Sequence, residues 1–405
     1  MKDKKQKKKW IKTRHTVIRN LAYLLLTPYI KLKYRVRIER FKAQEKRPYL
    51  ILLNHQTPFD QFFVGIAFRG PVYYLATEDI FSNGFVSKLL RYAVAPIPIK
   101  KQTVDVKAVM NCVRVVREGG TLCIAPEGNR TYSGQTEYMN PSIASMAKKL
   151  KLPVALFRIE GGYGAQPRWS NVVRRGRVTA RVSRVIEPEE AATMTESELF
   201  EVIREELYVN EANAEVEFHH KKRAEYLERA IYVCPECGLS ELHSEGAFVE
   251  CKRCHRRVEY LPTKELRGVG FDFPFRFVLD WYEYQKDFVN HLDTSCYTDQ
   301  PLYRDTVDLF RVIPSERKEL IEKGVELSLY GDRVTVKGES VDLLFPFDST
   351  EAFTLLGRKK MNVYFGETIY QVKGSDRFNS LKYLNLYHRH QNLKKGEKDE
   401  QFLGI

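Results

Sequence analysis

Tyr49-Leu50-Ile51-Leu52-Leu53-Asn54-His55-Gln56-Thr57-Pro58-Phe59-Asp60 joins an apolar run to a polar turn carrying a histidine and an aspartate. The apolar run reads as a strand. Beyond it, His55 and Asp60 stand in an HxxxxD arrangement, and residues five apart do not share a face of one continuous helix. Thr57 is a suitable N-cap, Pro58 fits the first helical turn and Asp60 falls at its third position. The spacing therefore predicts a turn between His55 and Asp60 that returns one side chain to the other. A carboxylate on one imidazole nitrogen fixes the tautomer, so that the other can take a proton from a hydroxyl. Thr57-x-x-Asp60 is also a capping box, which would leave Asp60 structural.

Outward from this stretch, strand-like and helix-like runs alternate. Strands are expected at 49–53, 71–76, 94–99, 121–125, 153–160 and 177–185, with helices at about 59–68, 84–92, 104–118 and 140–150. That alternation predicts an α/β domain over 45–215, a sheet flanked by helices. In such sheets functional groups gather on loops beyond strand ends. His55 follows one strand, and Pro126-Glu127-Gly128-Asn129-Arg130-Thr131 follows another, Thr121-Leu122-Cys123-Ile124-Ala125.

Upstream of that second segment lies Ile97-Pro98-Ile99-Lys100-Lys101, and downstream Leu152-Pro153-Val154-Ala155-Leu156. The four blocks, in this order, resemble the glycerolipid acyltransferase family typified by 1-acylglycerol-3-phosphate acyltransferases. The resemblance covers roughly residues 15–215. Lys101 stands where the family has arginine, keeping the charge without the bidentate fork. Lys100 replaces an acidic residue, Ala125 an aromatic, Asn129 a threonine and Leu156 a proline. These departures bear on the acceptor more than on the reaction class.

The resemblance implies transfer of a fatty acyl group from a thioester, acyl-CoA or acyl carrier protein, to a hydroxyl of a lysophospholipid. His55 would be the base and Asp60 its partner. Arg130 and Lys101 would hold an acceptor phosphate through charge-assisted bonds. Glu127 would bind acceptor hydroxyls or brace the cationic groups, and Gly128 would let the backbone approach substrate or serve a tight turn. The alternatives are a non-catalytic lipid-binding or scaffold protein on this fold, and a glycolipid acceptor. No Gly-x-Ser-x-Gly elbow is present to support a serine hydrolase.

The net charge of +14 is concentrated at the start of the chain. Residues 1–45 hold ten Lys and five Arg against Asp3, Glu39 and Glu45, a net +12. Within this basic segment (1–44), the apolar stretch from Thr16 to Ile30 is shorter than the ~20 residues needed to span a bilayer. Trp10, Tyr23 and Tyr29 surround it. The pattern predicts a helix lying on an anionic membrane surface, making the protein peripheral or monotopic on the cytoplasmic face.

Cys234-Pro235-Glu236-Cys237 and Cys251-Lys252-Arg253-Cys254 form two knuckles thirteen residues apart. Four thiolates so spaced predict a closed, structural Zn2+ site in a zinc ribbon spanning 231–262. Disulfides or redox dithiols are the alternative. The ribbon is basic but lacks an aromatic-interleaved RNA motif, which argues against nucleic acid.

A helical linker is expected at 216–230. A C-terminal domain at 263–393 should hold an aromatic helix at 271–292. Strands follow at 325–329, 333–336, 351–355, 361–365 and 368–372, and a closing helix at 379–392. This mostly-β pattern resembles a small pleckstrin-homology-type barrel. A charged tail, 394–405, ends the chain.

Overall fold

The computed structural model describes residues 9–82, 84–99, 105–314 and 316–396. They divide into two units. The first comprises the described residues within 1–128, 139–160 and 178–208; the second comprises those within 129–138, 161–177 and 209–405.

In chain order the first unit contains α1 (Thr13–Tyr34), β1 (Val36–Ile38), β2 (Leu50–Leu53), α2 (Asp60–Ala67), β3 (Val72–Thr77), α3 (Glu78–Phe81), α4 (Phe85–Ala93) and β4 (Ile97–Ile99). It continues with α5 (Val106–Arg117), β5 (Thr121–Ile124), α6 (Ser142–Leu150) and β6 (Val154–Glu160). After the four-residue helix α7 (Gly162–Ala165), which belongs to the second unit, come β7 (Val178–Ile186), α8 (Pro188–Thr193) and α9 (Glu196–Leu207). The strands form one seven-stranded sheet in the order β1-β7-β6-β2-β5-β3-β4. All neighbours are parallel except β6 and β7.

Central β2 is buried at every residue, as a parallel strand covered on both faces must be. Leu50 and Leu52 join Leu122, Val154, Leu156 and the inner faces of α5, α6 and α9 in one core. Strand β1, which periodicity did not reveal, is only three residues long, too short to show a repeat.

Helix α1 packs against α2 and α4. His15 is buried with its Nδ1 3.0 Å from the Tyr73 hydroxyl, and Arg19 donates to the Gly65 and Phe68 carbonyls at the end of α2. Val17, Leu21, Leu24, Leu25 and Leu32, spaced along one helical face, are exposed; Leu24 is 69% and Leu32 82% accessible. No described helix is long and apolar enough to cross a membrane.

In the second unit, α7 and a 3-10 turn precede the hairpin β8 (Val233–Cys234) and β9 (Gly238–Leu239). A four-stranded antiparallel sheet follows: β10 (Leu242–Glu245), β11 (Phe248–Cys251), β12 (Arg257–Tyr260) and β13 (Leu266–Gly268). Helix α10 (Val278–Asn290) comes next. It starts seven residues later than the sequence suggested: Pro274 disfavours helix at Phe273, and Asp280 accepts the Arg276 and Phe277 N–H groups at 3.1 and 2.8 Å, fixing the start. Phe271, Phe273 and Phe275 instead form a chain of edge-on rings leading to Trp281.

The linker expected to be helical at 216–230 has a single 3-10 turn, Leu227–Arg229. Its backbone is committed elsewhere: Phe218 N–H donates to the Pro262 carbonyl, His219 pairs with Arg175, and Ala224 N–H donates to Gly246.

The C-terminal sheet runs β17-β16-β15-β14-β20-β19-β18, wholly antiparallel. Its strands are β14 (Tyr303–Ile313), β15 (Arg317–Leu329), β16 (Arg333–Lys337), β17 (Asp342–Pro346), β18 (Ala352–Leu356), β19 (Lys360–Phe365) and β20 (Thr368–Gly374). Strand β14 lies between β15 and β20 and pairs with both, its register against β15 irregular near Val307–Phe310, in a sheet that forms a half-barrel. Helix α11 (Leu381–Lys395) closes it, with Tyr387 packed on Phe347 and Phe353. Seven antiparallel strands and a closing helix bear out the mostly-β reading of this region. Strands β14 and β17 went unread, the first interrupted by Asp305 and Asp308 and the second ending in a proline.

Candidate active site and metal centre

The carboxyl ends of β2 and β5 lie side by side. Leu52 is in register with Ile124, so the residues three further on, His55 and Glu127, fall at the same height beyond the sheet. The His55 backbone N–H donates to Glu127 Oε1 at 2.6 Å. On the other side β2 is in register with β6 through Leu53 and Phe157. Asn54 extends that pairing with its side chain, which donates to the Ile159 carbonyl and accepts from the Ile159 N–H, both at 2.8 Å. His55 thus leaves a strand held on both flanks.

His55 Nδ1 lies 2.8 Å from Asp60 Oδ2. Asp60 is 1% exposed, whereas the His55 side chain is 27% exposed. The carboxylate also accepts from the Gln56 N–H at 2.7 Å, the Thr57 N–H at 3.0 Å and the Thr57 hydroxyl at 2.6 Å. These bonds tighten the chain over residues 56–60 and delay the helix: α2 begins at Asp60 with Phe59 as its N-cap, not at Thr57. Thr57 Oγ1 still accepts the Phe59 N–H at 3.1 Å. One carboxylate therefore organises the turn and meets the imidazole, but Thr57 and Asp60 do not form the expected capping box, since the N-cap is Phe59. With Nδ1–H donated to Asp60, Nε2 carries the free lone pair, and among the described residues it has no protein partner.

Pro126 and Glu127 form a turn closed by the Gly128 N–H donating to the Ala125 carbonyl at 3.0 Å. Gly128 has φ +67°, a left-handed conformation that glycine adopts without strain. Glu127 is buried inside this turn and Gly128 is exposed on it. Arg130 is half-buried, and its carbonyl accepts from Arg168 Nη1 at 3.2 Å. Lys101, with Lys100, lies outside the described residues. Cys123, on β5, offers no nucleophile: burial, then the nearby Asp60 carboxylate, push its thiol well above the ordinary range.

Sequence reasoning missed Asn54 and Gln56 as parts of this scaffold, and missed Glu127 as the acceptor for His55. Their bonds run to backbone groups, which no spacing rule marks.

Helix α1 reaches the same turn. The Lys33 ammonium sits 4.4 Å from the Phe59 ring centroid, and Tyr34 packs on Phe59 and Phe63. At its other end Arg14 Nε donates to the Tyr92 carbonyl on α4, and its guanidinium lies 4.1 Å from the Tyr92 ring centroid. Phe85, Val86, Leu89 and Tyr92 of α4 are exposed.

In the second unit the Sγ atoms of Cys234, Cys237, Cys251 and Cys254 all lie within 4.8 Å of one another. Cys234 and Cys254 sulfurs are 3.8 Å apart. A tetrahedral ion with Zn–S bonds of about 2.3 Å sets its sulfurs about 3.8 Å apart, so the four thiols fit zinc. Trp281, Phe271 and Phe273 line the small apolar recess beside the cluster. The neighbouring basic side chains are locally engaged: Arg256 pairs with Glu236, Lys252 with Glu241, and Arg253 donates to the Cys237 carbonyl.

Among solved structures, the chain is similar to the 1-acyl-sn-glycerophosphate (LPA) acyltransferase PlsC from Thermotoga maritima. The identity is 20% and the TM-score 0.38, over 47% of this chain and 74% of that one. Comparison with curated proteins gives no match. Residues 34–159 match the family model described as Acyltransferase, a stretch that includes His55, Asp60, Glu127 and Arg130. Those 126 residues, under a third of the chain, are what is similar to that family.

Proposed function

We propose that this protein is an O-acyltransferase that moves a fatty acyl group from acyl-CoA or an acyl-carrier-protein thioester to a hydroxyl of a lysophospholipid such as 1-acylglycerol-3-phosphate. The observation that carries the reading is the buried Asp60 carboxylate 2.8 Å from Nδ1 of a partly exposed His55. His55 Nε2 takes the acceptor proton, and Asp60 stabilises the imidazolium that forms. The acceptor oxygen attacks the thioester carbonyl, the C–S bond breaks, and the departing thiolate recovers the proton from His55. Arg130 and Lys101 hold the acceptor phosphate. Glu127 fixes the His55 loop through the backbone N–H, and Gly128 supplies the turn that exposes the backbone to substrate.

The protein works peripherally, on an anionic membrane surface at the cytoplasmic face. The exposed apolar residues of α1 and α4 enter the interface while the basic N-terminal segment meets headgroups. Helix α1 ends on Phe59, next to Asp60, which brings the bilayer-facing element to the reacting turn. The four cysteines hold a structural zinc ion; an all-thiolate shell supplies fold stability and no open coordination position.

The deciding experiment is turnover of lysophosphatidate and an acyl thioester by the wild type and by His55→Ala. Loss of turnover with unchanged vesicle binding supports the assignment. Equal inertness of both proteins over a panel of donors and of phosphate-bearing and glycolipid acceptors rejects it in favour of a non-catalytic lipid-binding role.

A further inference from the structure

Arg130 follows the Pro-Glu-Gly turn by two residues, yet residues 129–138 belong by their contacts to the C-terminal unit. The anchor is Tyr132. It is 3% exposed and joins the core that also holds Trp169, Trp281, Tyr282 and the ribbon's Val233 and Cys234. Its ring stacks on Tyr282 of α10, 6.4 Å between centroids and 11° from coplanar. The guanidinium of buried Arg168 lies 4.4 Å from the same ring's centroid, and its Nη1 donates to the Arg130 carbonyl. Helix α10 is in turn bonded to the chain just before the first cysteine. Trp281 Nε1 donates to the Val233 carbonyl at 2.8 Å, and Gln285 Oε1 accepts the Tyr232 N–H at 2.6 Å and the Val233 N–H at 3.2 Å.

We propose that Arg168 and Tyr282 are positioning residues for Arg130, through which the four-cysteine module sets the affinity for the acceptor's phosphate. This rests on the acyltransferase reading above and gives the C-terminal unit a task in it. Arg168 fixes the Arg130 backbone from one side, and the Tyr132–Tyr282 stack holds the chain two residues further on. An arginine whose backbone is pinned at its own carbonyl and again two residues on presents its guanidinium in a narrow range of positions, and phosphate recognition depends on that placement. Loosening either pin weakens phosphate binding and leaves His55 chemistry and thioester binding intact.

The test compares wild type, Arg168→Ala, Arg168→Lys, Tyr282→Leu and Tyr282→Phe in the full chain. Steady-state kinetics use acyl-CoA with two acceptors, lysophosphatidate and 1-monoacylglycerol, which differ by the phosphate. The expected result is a KM for lysophosphatidate raised about tenfold in Arg168→Ala and Tyr282→Leu, with kcat and the acyl-CoA KM within about twofold. The same variants should act on monoacylglycerol like wild type. Tyr282→Phe keeps the stacked ring and should restore wild-type KM; Arg168→Lys, which keeps charge but loses the planar stack, should fall between.

Equal losses on both acceptors, or losses in kcat alone, overturn the proposal and make these residues merely structural. Zinc content and the thermal midpoint of each variant identify a folding failure, in which case the Tyr282 pair decides. A wild type with no turnover, or without preference for the phosphate-bearing acceptor, is a failure of the underlying reading and is visible before any variant is made.

Discussion

The His55 N–H and the Glu127 carboxylate, 72 residues apart in the chain, are joined at 2.6 Å across the carboxyl ends of adjacent strands β2 and β5. This bond ties the imidazole's own backbone to the Pro-Glu-Gly turn, so neither loop is placed independently of the other. Glu127→Ala should leave a buried donor unsatisfied, costing about 1–3 kcal/mol of stability. Glu127→Gln keeps an accepting oxygen and should cost less. Thermal unfolding of the two variants checks the order; equal midpoints would deny the bond its bracing role.

Asp60 carries a heavier load, because its carboxylate serves His55, the Gln56 and Thr57 amides and the Thr57 hydroxyl together. Asp60→Asn should reduce kcat by about 10²–10⁴-fold, since the imidazolium loses its anion. Asp60→Ala should lose activity and stability at once. Activity within about threefold of wild type for Asp60→Asn would remove the carboxylate from the mechanism.

The purified chain should contain about one equivalent of zinc, released by a strong chelator with cooperative loss of ribbon structure. Cys251→Ser should lower both the metal content and the thermal midpoint. Elemental analysis finding less than about half an equivalent in protein never exposed to chelator would contradict a structural zinc site.

Leu24→Glu combined with Leu25→Glu removes two exposed apolar side chains from α1. Burial of a leucine is worth about 1.5–3 kcal/mol, so binding to vesicles containing anionic lipid should fall at least tenfold. Wild-type binding should also weaken with salt, as screening shortens the reach of the basic segment. Sedimentation with vesicles measures both, and salt-independent binding unaffected by the double substitution would rule out this surface.

His388 on α11 is pushed down to about 4 by burial, assisted by Lys395, and its Nε2 has no hydrogen-bond partner among the described residues. The folded form resists protonation that the unfolded chain accepts near pH 6.5. Stability is therefore complete above that pH and is lost as pH falls through the window from about 6.5 to about 4. His388→Gln should flatten this acid-side slope of the C-terminal unit, followed by the tryptophan signal across a pH series. An unchanged slope would place the acid sensitivity elsewhere.

Much of the site was legible because its logic is local. Only four residues separate His55 from Asp60, and a buried carboxylate facing the Gln56 and Thr57 amides can close only a tight turn. The helix start was misplaced for the same reason: the carboxylate captured amides that a Thr57 cap would have left to the helix. Unread parts depend on partners far along the chain. Asn54 looks like any polar residue after a strand until Ile159 lies beside it.

By itself the sequence determined the alternating strand and helix runs, the His55–Asp60 turn and the two cysteine knuckles. Each is set by spacing over a few residues, where backbone geometry leaves few choices. Tertiary structure alone decided that β2 takes β5 and β6 as neighbours in the register that delivers Glu127 to His55. It also decided that the segment bearing Arg130 joins the ribbon's core through Tyr132. Those outcomes follow from burying apolar surface between residues tens to hundreds of positions apart, a free energy that no short window of sequence contains.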